Sequence, residues 1–189
     1  MNESLPRQQP GSPQGDPDRD DVLAAQADRA AFDVLYRRYL DRVYGYAFYQ
    51  LRDHHDAEDA TERIFLAALK ALPEFRHEGA SFRAWLFRIA HNTIVNARRS
   101  RFRRQTEPIP DGLDRIAPNA DPAALVVEAD EARRVLQAVA ELPDDRRQVV
   151  LLRFVDGLSS REIGQVMDRS EGAARVLLHR ALRDLAARL

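Results

Sequence analysis

From Phe82 to Arg104 the chain carries seven arginines and no acidic residue, and five of the seven crowd into Arg98–Arg104. Phe82, Trp85, Phe87 and Phe102 are interleaved with them, together with His91, Asn92 and Asn96. Arginine neutralises phosphate, while asparagine and aromatic groups hydrogen-bond to or stack on unpaired bases, so the pattern points to a nucleic-acid strand. On a helix Asn92 and Asn96, four residues apart, share one face. A solvated arginine face over an apolar core is the plainer reading of the same residues, and Trp85 and Phe87 by themselves suit a core better than a base platform.

A second basic set lies near the C-terminus. A short helix (Ser160–Met167), the turn Asp168-Arg169-Ser170 and a longer helix have the proportions of a helix-turn-helix. In that motif the second helix enters the major groove and its N-terminal residues meet the base edges. Here that helix presents Glu171, Arg175, His179, Arg180 and Arg183, with Arg175 and His179 on one face and Leu178, Leu182 and Leu185 expected as the buried stripe opposite. Ser159-x-x-Glu162 reads as a capping box for the first helix and Ser170 as the cap of the second. A plain helical bundle with solvated arginines is the alternative.

A third cluster has the opposite sign: Asp53, Asp56, Glu58, Asp59 and Glu62 crowd the first turns of one helix. Acids there suit the helix dipole, and they equally suit a basic partner. His54 and His55 beside them do not make a metal site, because adjacent helical residues point about 100° apart. There is no Ser-His-Asp order, no glycine-rich phosphate loop and no cysteine at all. Disulfides, thiolate metal sites and cysteine nucleophiles are therefore excluded. No enzyme activity, cofactor or metal is expected.

The elements that must hold these clusters are helical throughout. The 189 residues, 44% of them hydrophobic, suit one large domain or two small ones. No run approaches the roughly eighteen apolar residues of a membrane helix, and no apolar stretch follows the N-terminus, so no membrane insertion and a cytoplasmic location are expected. The formal net charge of −1 hides a pattern: residues 1–29 carry −3, 30–104 carry +5, 105–130 carry −5 and 131–189 carry +2. Two basic blocks are thus joined by an acidic connector, which makes polyanion binding by the blocks plausible. Residues 1–17, with four prolines, read as disordered, and apolar residues then recur at three- and four-residue steps from Asp20 to Leu72. Pro73 ends that stretch, a loop follows, and Ser81 opens the long basic helix. Residues 105–122 hold four prolines and no periodicity, as expected of a semi-extended linker. Helices follow over 123–141 and 144–155, with Gly157 as a stop. Nothing alternates as a strand would, so the fold is all-α: two small helical domains joined by a Pro-rich linker.

Taken together, the two blocks resemble a bacterial RNA polymerase sigma factor of the extracytoplasmic-function group, which keeps only regions 2 and 4 of the wider family. For region 2 the likeness rests on Phe32-Asp-Val-Leu-Tyr-Arg-Arg-Tyr39, Asp56-Ala-Glu-Asp59, Ile64-Phe-Leu66 and Phe82-Arg-Ala-Trp-Leu-Phe-Arg-Ile-Ala-His-Asn92. For region 4 it rests on Leu142-Pro-Asp-Asp-Arg-Arg-Gln-Val-Val-Leu-Leu-Arg-Phe154, Asp156-Gly-Leu-Ser159, Glu162-Ile163 and Ser170-Glu-Gly172.

The resemblance implies a tail (1–19), region 2 (20–104), a linker (105–124) and region 4 (125–189). It implies that Asp56, Glu58, Asp59, Thr61, Glu62 and Phe65 dock on the coiled coil of the polymerase β′ clamp. Arg76, His77, Glu78, Gly79, Ala80 and Ser81, with Arg88, Asn92, Asn96 and Arg99, would take an unpaired non-template base of the −10 element. Ser170, Arg175, His179, Arg180 and Arg183 would read the −35 element as duplex while region 4 packs on the β flap tip. An anti-sigma factor is a common further partner in the group. The competing expectation is a stand-alone helix-turn-helix regulator that binds DNA as a dimer without polymerase.

Overall fold

A computed structural model describes residues 16–77, 79–105 and 134–189. Every regular element among them is helical, in keeping with the all-α expectation. Helix α1 (Arg19–Ala27) leads through a 3-10 turn (Arg29–Ala31) into α2 (Phe32–Leu51) and α3 (His54–Ala71). A second 3-10 turn (Leu72–Glu74) precedes the long α4 (Phe82–Gln105). Residues 134–140 are helical (α5), followed by α6 (Asp144–Phe154), α7 (Ser160–Met167) and α8 (Glu171–Ala186). The first fifteen residues of the expected tail, the expected linker beyond Gln105, residues 125–133 and Glu78 lie outside the described residues.

Local chemistry sets the boundaries. Asp53 caps α3, its side chain accepting from the Asp56 amide at 2.9 Å, and Arg52 before it takes the left-handed conformation that lets α2 stop and the chain reverse. The Ser159–Glu162 capping box is present in both directions, and Ser170 accepts from the Ala173 amide at 3.1 Å. Between α7 and α8, Asp168 adopts φ 54°, a conformation that Asp tolerates better than most residues.

The N-terminal body is built on α2. Leu35, Tyr39, Val43, Tyr46 and Ala47 recur at helical spacing and are buried against Ala57, Ala60, Ile64 and Ala68 of α3 and Phe82, Leu86, Phe87, Ala90 and Ile94 of α4. Each fully buried Leu or Phe contributes about 1.5–3 kcal/mol through the apolar surface it withdraws from water. The C-terminal body packs α6 and α7 on α8 through Val149, Leu152, Ile163 and Val166 against Ala174, Ala181 and Leu185. One expectation is corrected here: Leu182 is 41% exposed, and the inner stripe of α8 is carried by Ala174, Ala181 and Leu185, with Leu177 and Leu178 partly covered. The small alanines let α8 approach its neighbours closely, so the stripe starts one turn earlier than the leucines suggest.

The two bodies touch. Helix α7 lies along α4, α6 meets α2, and the buried residues of both bodies form one cluster. No helix among the described residues is long and apolar enough to cross a membrane.

Candidate nucleic-acid interface

The loop between α3 and α4 is held from below by residues far away in sequence. Gln26 Nε2 donates to the main-chain oxygens of Leu72 and Phe75, both at 2.9 Å. Phe75 then packs on Trp85 and Phe82, with ring centroids 4.8 Å and 5.9 Å away, and Tyr39 closes on Phe82 at 5.7 Å. Asp16 Oδ2 accepts from the Phe82 amide at 2.5 Å and from His77 Nδ1 at 3.1 Å, capping α4 from the start of the fold. Asp18, 2% exposed, accepts from Arg38 Nη1 at 2.5 Å and from the Tyr39 hydroxyl. Burial, then the bond to Asp18, pushes the Tyr39 hydroxyl up from its ordinary value, so it stays a donor. Asp16, Asp18 and Arg19 are therefore ordered parts of the fold, where the sequence suggested a loose tail. Gly79 at φ 83° makes the reversal, in a region that favours glycine.

Beyond this loop α4 presents one outward stripe. Arg88, Asn92, Asn96 and Arg99 follow at steps of four, four and three, and all four are exposed. Of the described aromatic side chains of the same helix, Phe82 and Phe87 are fully buried and Trp85 is half-buried. Side chains from Ser100 to Gln105 lie outside the described set. The stripe can bind phosphates through its two arginines and base edges through its two amides.

The loop itself is not free. Ser81 Oγ donates to Glu162 Oε1 of α7 at 2.6 Å, and Arg83 Nη2 stands 3.4 Å from both oxygens of that carboxylate. Gln165 Nε2 donates to the Gly79 carbonyl at 2.6 Å. Asp16, Tyr39, His77, Gly79, Ser81, Arg83 and Glu162 help to line a cavity of about 580 Å³ at this junction. Deeper in the junction Gln148 donates to the Tyr46 hydroxyl at 2.8 Å and bonds His91 Nδ1, and Arg98 pairs with Asp144. Burial holds the His91 imidazole below its ordinary value, which suits an acceptor Nδ1. Burial pushes Asp144 up, but Arg98 and Arg147 outweigh it and leave the carboxyl below the ordinary range.

Ser170 at the cap of α8 and Arg175, His179, Arg180 and Arg183 on the helix are all exposed, and Arg175 is braced by Glu171 Oε1 at 2.6 Å. The helix thus carries a basic outer face over a well-packed inner one. On α3 the structure splits the set expected from sequence. Glu58, Asp59 and Glu62 are exposed, and Leu66 beside them is 58% exposed. Thr61 is buried and bonds back to the Ala57 carbonyl, and Phe65 is buried against Tyr36 and Phe32 at 4.7 Å and 6.4 Å. Those two shape the α3 surface from beneath. Among the described residues no group of His, Asp or Glu gathers as a metal site.

Sequence reasoning missed Asp16, Asp18, Gln148 and Asp156, all of which act across long chain separations. Asp156 is fully buried beneath Arg42, whose Nη2 donates to its main-chain oxygen at 2.8 Å. A pair of acids flanking a proline, Asp16-Pro17-Asp18, just ahead of the first periodic segment was the one local signal available.

Both bodies are similar to known proteins. Sigma-70 region 2 matches residues 35–104 and Sigma-70, region 4 matches residues 132–185. The ECF RNA polymerase sigma factor BldN of Streptomyces coelicolor is 38% identical over 87% of this chain, which covers 63% of that relative, less than two thirds of its length. The ECF RNA polymerase sigma factor SigE of Mycolicibacterium smegmatis is 31% identical over 93% of this chain and 70% of its own. Among solved structures, CnrH, in complex with the cytosolic domain of CnrY, superposes with a TM-score of 0.66 at 26% identity, covering 90% of this chain and 95% of CnrH. With both regions matched in order and the folds superposing across both bodies, this chain belongs to the extracytoplasmic-function sigma factors of bacterial RNA polymerase.

Proposed function

We propose that this chain binds core RNA polymerase, directs it to promoters through −10 and −35 elements and assists opening of the duplex, acting in the cytoplasm and catalysing no reaction itself. The observation that carries the reading is the pair of separate outward basic faces, Arg88/Asn92/Asn96/Arg99 on α4 and Arg175/His179/Arg180/Arg183 on α8. One offers amides and cations suited to a strand taken out of the stack, the other a helix-turn-helix suited to a major groove. Region 2 spans 20–104 and region 4 spans 125–189 in this reading, with 105–124 as their linker.

The exposed Glu58, Asp59 and Glu62 with Leu66 form a docking face for the basic β′ clamp coiled coil, and the exposed Phe154 and Val155 of region 4 suit an apolar site such as the β flap tip. A cognate anti-sigma factor is a further partner; CnrH, which the chain resembles, was solved with a segment of a second protein. A dimeric regulator acting alone has no use for the second nucleic-acid face on α4. Run-off transcription with purified core polymerase and a promoter chosen by selection tests the proposal. Initiation that depends on adding this chain supports it, and a tight palindrome-bound dimer without polymerase refutes it.

A further inference from the structure

Both carboxylate oxygens of Asp16 are engaged by the main chain. Oδ1 accepts from the Asp18 amide at 3.1 Å, an Asx turn that leads into α1, and Oδ2 accepts from the Phe82 amide at 2.5 Å at the start of α4. Main-chain N–H groups only donate, so both oxygens act as acceptors, and the third neighbour, His77 Nδ1 at 3.1 Å, brings its own proton to the bond. In the neutral ring that leaves Nε2 as a bare lone pair. Phe75 braces the same ring, edge to face, with centroids 4.8 Å apart. The Asp16 and His77 side chains are only 9% and 19% exposed, and Nε2 is buried with no hydrogen-bond partner among the described residues. Buried polar atoms are seldom left unpaired, which marks Nε2 as a group kept for a partner. His77 lines the cavity of about 580 Å³ together with Ser81 and Arg83, and α7 forms its far wall. Ser81 and Arg83 suit a phosphate, so a nucleotide whose backbone meets them brings its base edge toward the ring.

We propose that His77 is a specificity-determining residue of the −10 loop and Asp16 its positioning residue: Asp16 holds the imidazole proton on Nδ1, and Nε2 accepts from the exocyclic amine of an unpaired adenine or cytosine. This rests on the assignment of the loop to strand capture made above. Guanine and thymine carry a carbonyl oxygen where adenine and cytosine carry the amine. A lone pair facing that oxygen is repulsive, so an acceptor at this point selects amino bases and rejects keto bases. The determinant is split along the chain. The loop supplies the ring, and the residue that sets its proton lies 61 positions earlier, ahead of α1. The same loop without Asp16 would present either nitrogen in either state, and the selection would be lost.

In the free chain at about pH 8, above the ordinary imidazole value of about 6.5, long-range proton–nitrogen correlation spectra report which ring nitrogen carries the proton. His77→Phe identifies the His77 signals among those of the five histidines. The proton is expected on Nδ1 in the parent and in Asp16→Asn, whose amide oxygen can keep the Phe82 and His77 bonds, and shared between both nitrogens in Asp16→Ala. Holoenzyme assembled from core polymerase and the full chain is then titrated with forked promoter DNA, single-stranded across the −10 element. Adenine is replaced there by purine, or cytosine by pyrimidin-2-one, one position at a time, so that only the amine is lost. At one position this should weaken binding by ~3–10-fold for the parent and Asp16→Asn, by less for Asp16→Ala and not at all for His77→Phe. That ratio compares two DNAs on one protein, so a purely structural role of Asp16 at the α4 cap would leave it unmoved. A proton on Nε2 in the parent, a keto base preferred at that position, or equal affinity with and without the amine at every position, as when water alone bonds Nε2, would each overturn the inference. Holoenzyme that binds no fork beyond what core polymerase binds alone overturns the proposed function instead, and the ring proton is read in the free chain independently of it.

Discussion

Arg42 of region 2 and Asp156 of region 4 meet across the seam, with Nη2 donating to the Asp156 main-chain oxygen at 2.8 Å and Nε 3.7 Å from the carboxylate. Neither carboxylate oxygen has a hydrogen-bond partner among the described residues. The charged and titratable groups facing it are Arg42 and Tyr46 of α2 and Arg83 of α4. Burial dominates over the two arginines and pushes the carboxyl up to about 7.

Closing the chain therefore takes up a proton at Asp156, and that contribution to closure weakens as pH rises from the ordinary carboxylate value of 3.8 to about 7. His91 works in the opposite direction: its value falls on burial, so closure weakens as pH drops below 6.5. Each limb has a slope of at most ~1.4 kcal/mol per pH unit. Between pH 5 and 7 Asp156→Asn should leave a chain that opens on acidification, and His91→Asn one that opens on alkalinisation. Interdomain distances across that range check the two slopes, and slopes of the same sign would refute the assignment.

Gly164 is the position on α7 where a side chain has no room. A Cβ there would stand 2.6 Å from the Arg169 carbonyl and 3.3 Å from the Glu171 amide, both main-chain atoms of the turn. Gly164→Ala should destabilise region 4 by ~1–3 kcal/mol, as overpacking against backbone does, and weaken duplex binding by displacing the start of α8. Asp168→Gly, which relieves the left-handed residue of the same turn, should be neutral or mildly stabilising. Urea unfolding of the two variants provides the comparison.

Arg175 is exposed and tethered by Glu171. Arg175→Ala should cost ~1–3 kcal/mol of −35 binding and relax preference at one base pair if the guanidinium reads a guanine edge. Equal loss on every sequence would make it a phosphate contact. Titrating the variant against a panel of single-base changes separates the two.

Asn92→Ala should reduce open-complex formation on duplex promoters more than on templates melted in advance across the −10 element. Permanganate footprinting of both templates measures it. Equal loss on both would remove Asn92 from base capture.

Asp18 is buried with Arg38 and Tyr39 as its partners. Asp18→Ala leaves the buried Tyr39 hydroxyl without its acceptor, while Arg38 keeps Asp21 at 2.7 Å, at a cost of ~1–3 kcal/mol. Thermal unfolding of region 2 should shift downward accordingly, and an unchanged midpoint would mean that the first turn of the fold contributes nothing.

Periodicity, caps and motif words made the helices, the two bodies and both basic faces legible in the sequence alone. Those features are local: a Ser159–Glu162 box, a Pro73 stop or a four-residue step between Asn92 and Asn96 depends only on near neighbours and helix geometry. Which residues point inward was legible only on average, since Leu182 lies exposed while Thr61 and Phe65 are buried. Tertiary structure alone decided that Asp16 caps α4, that Gln148 joins Tyr46 to His91, and that Glu162 reaches Ser81. Each of these bonds joins segments more than fifty residues apart, and such pairings arise from packing of whole bodies, for which charge and spacing along the chain hold no record.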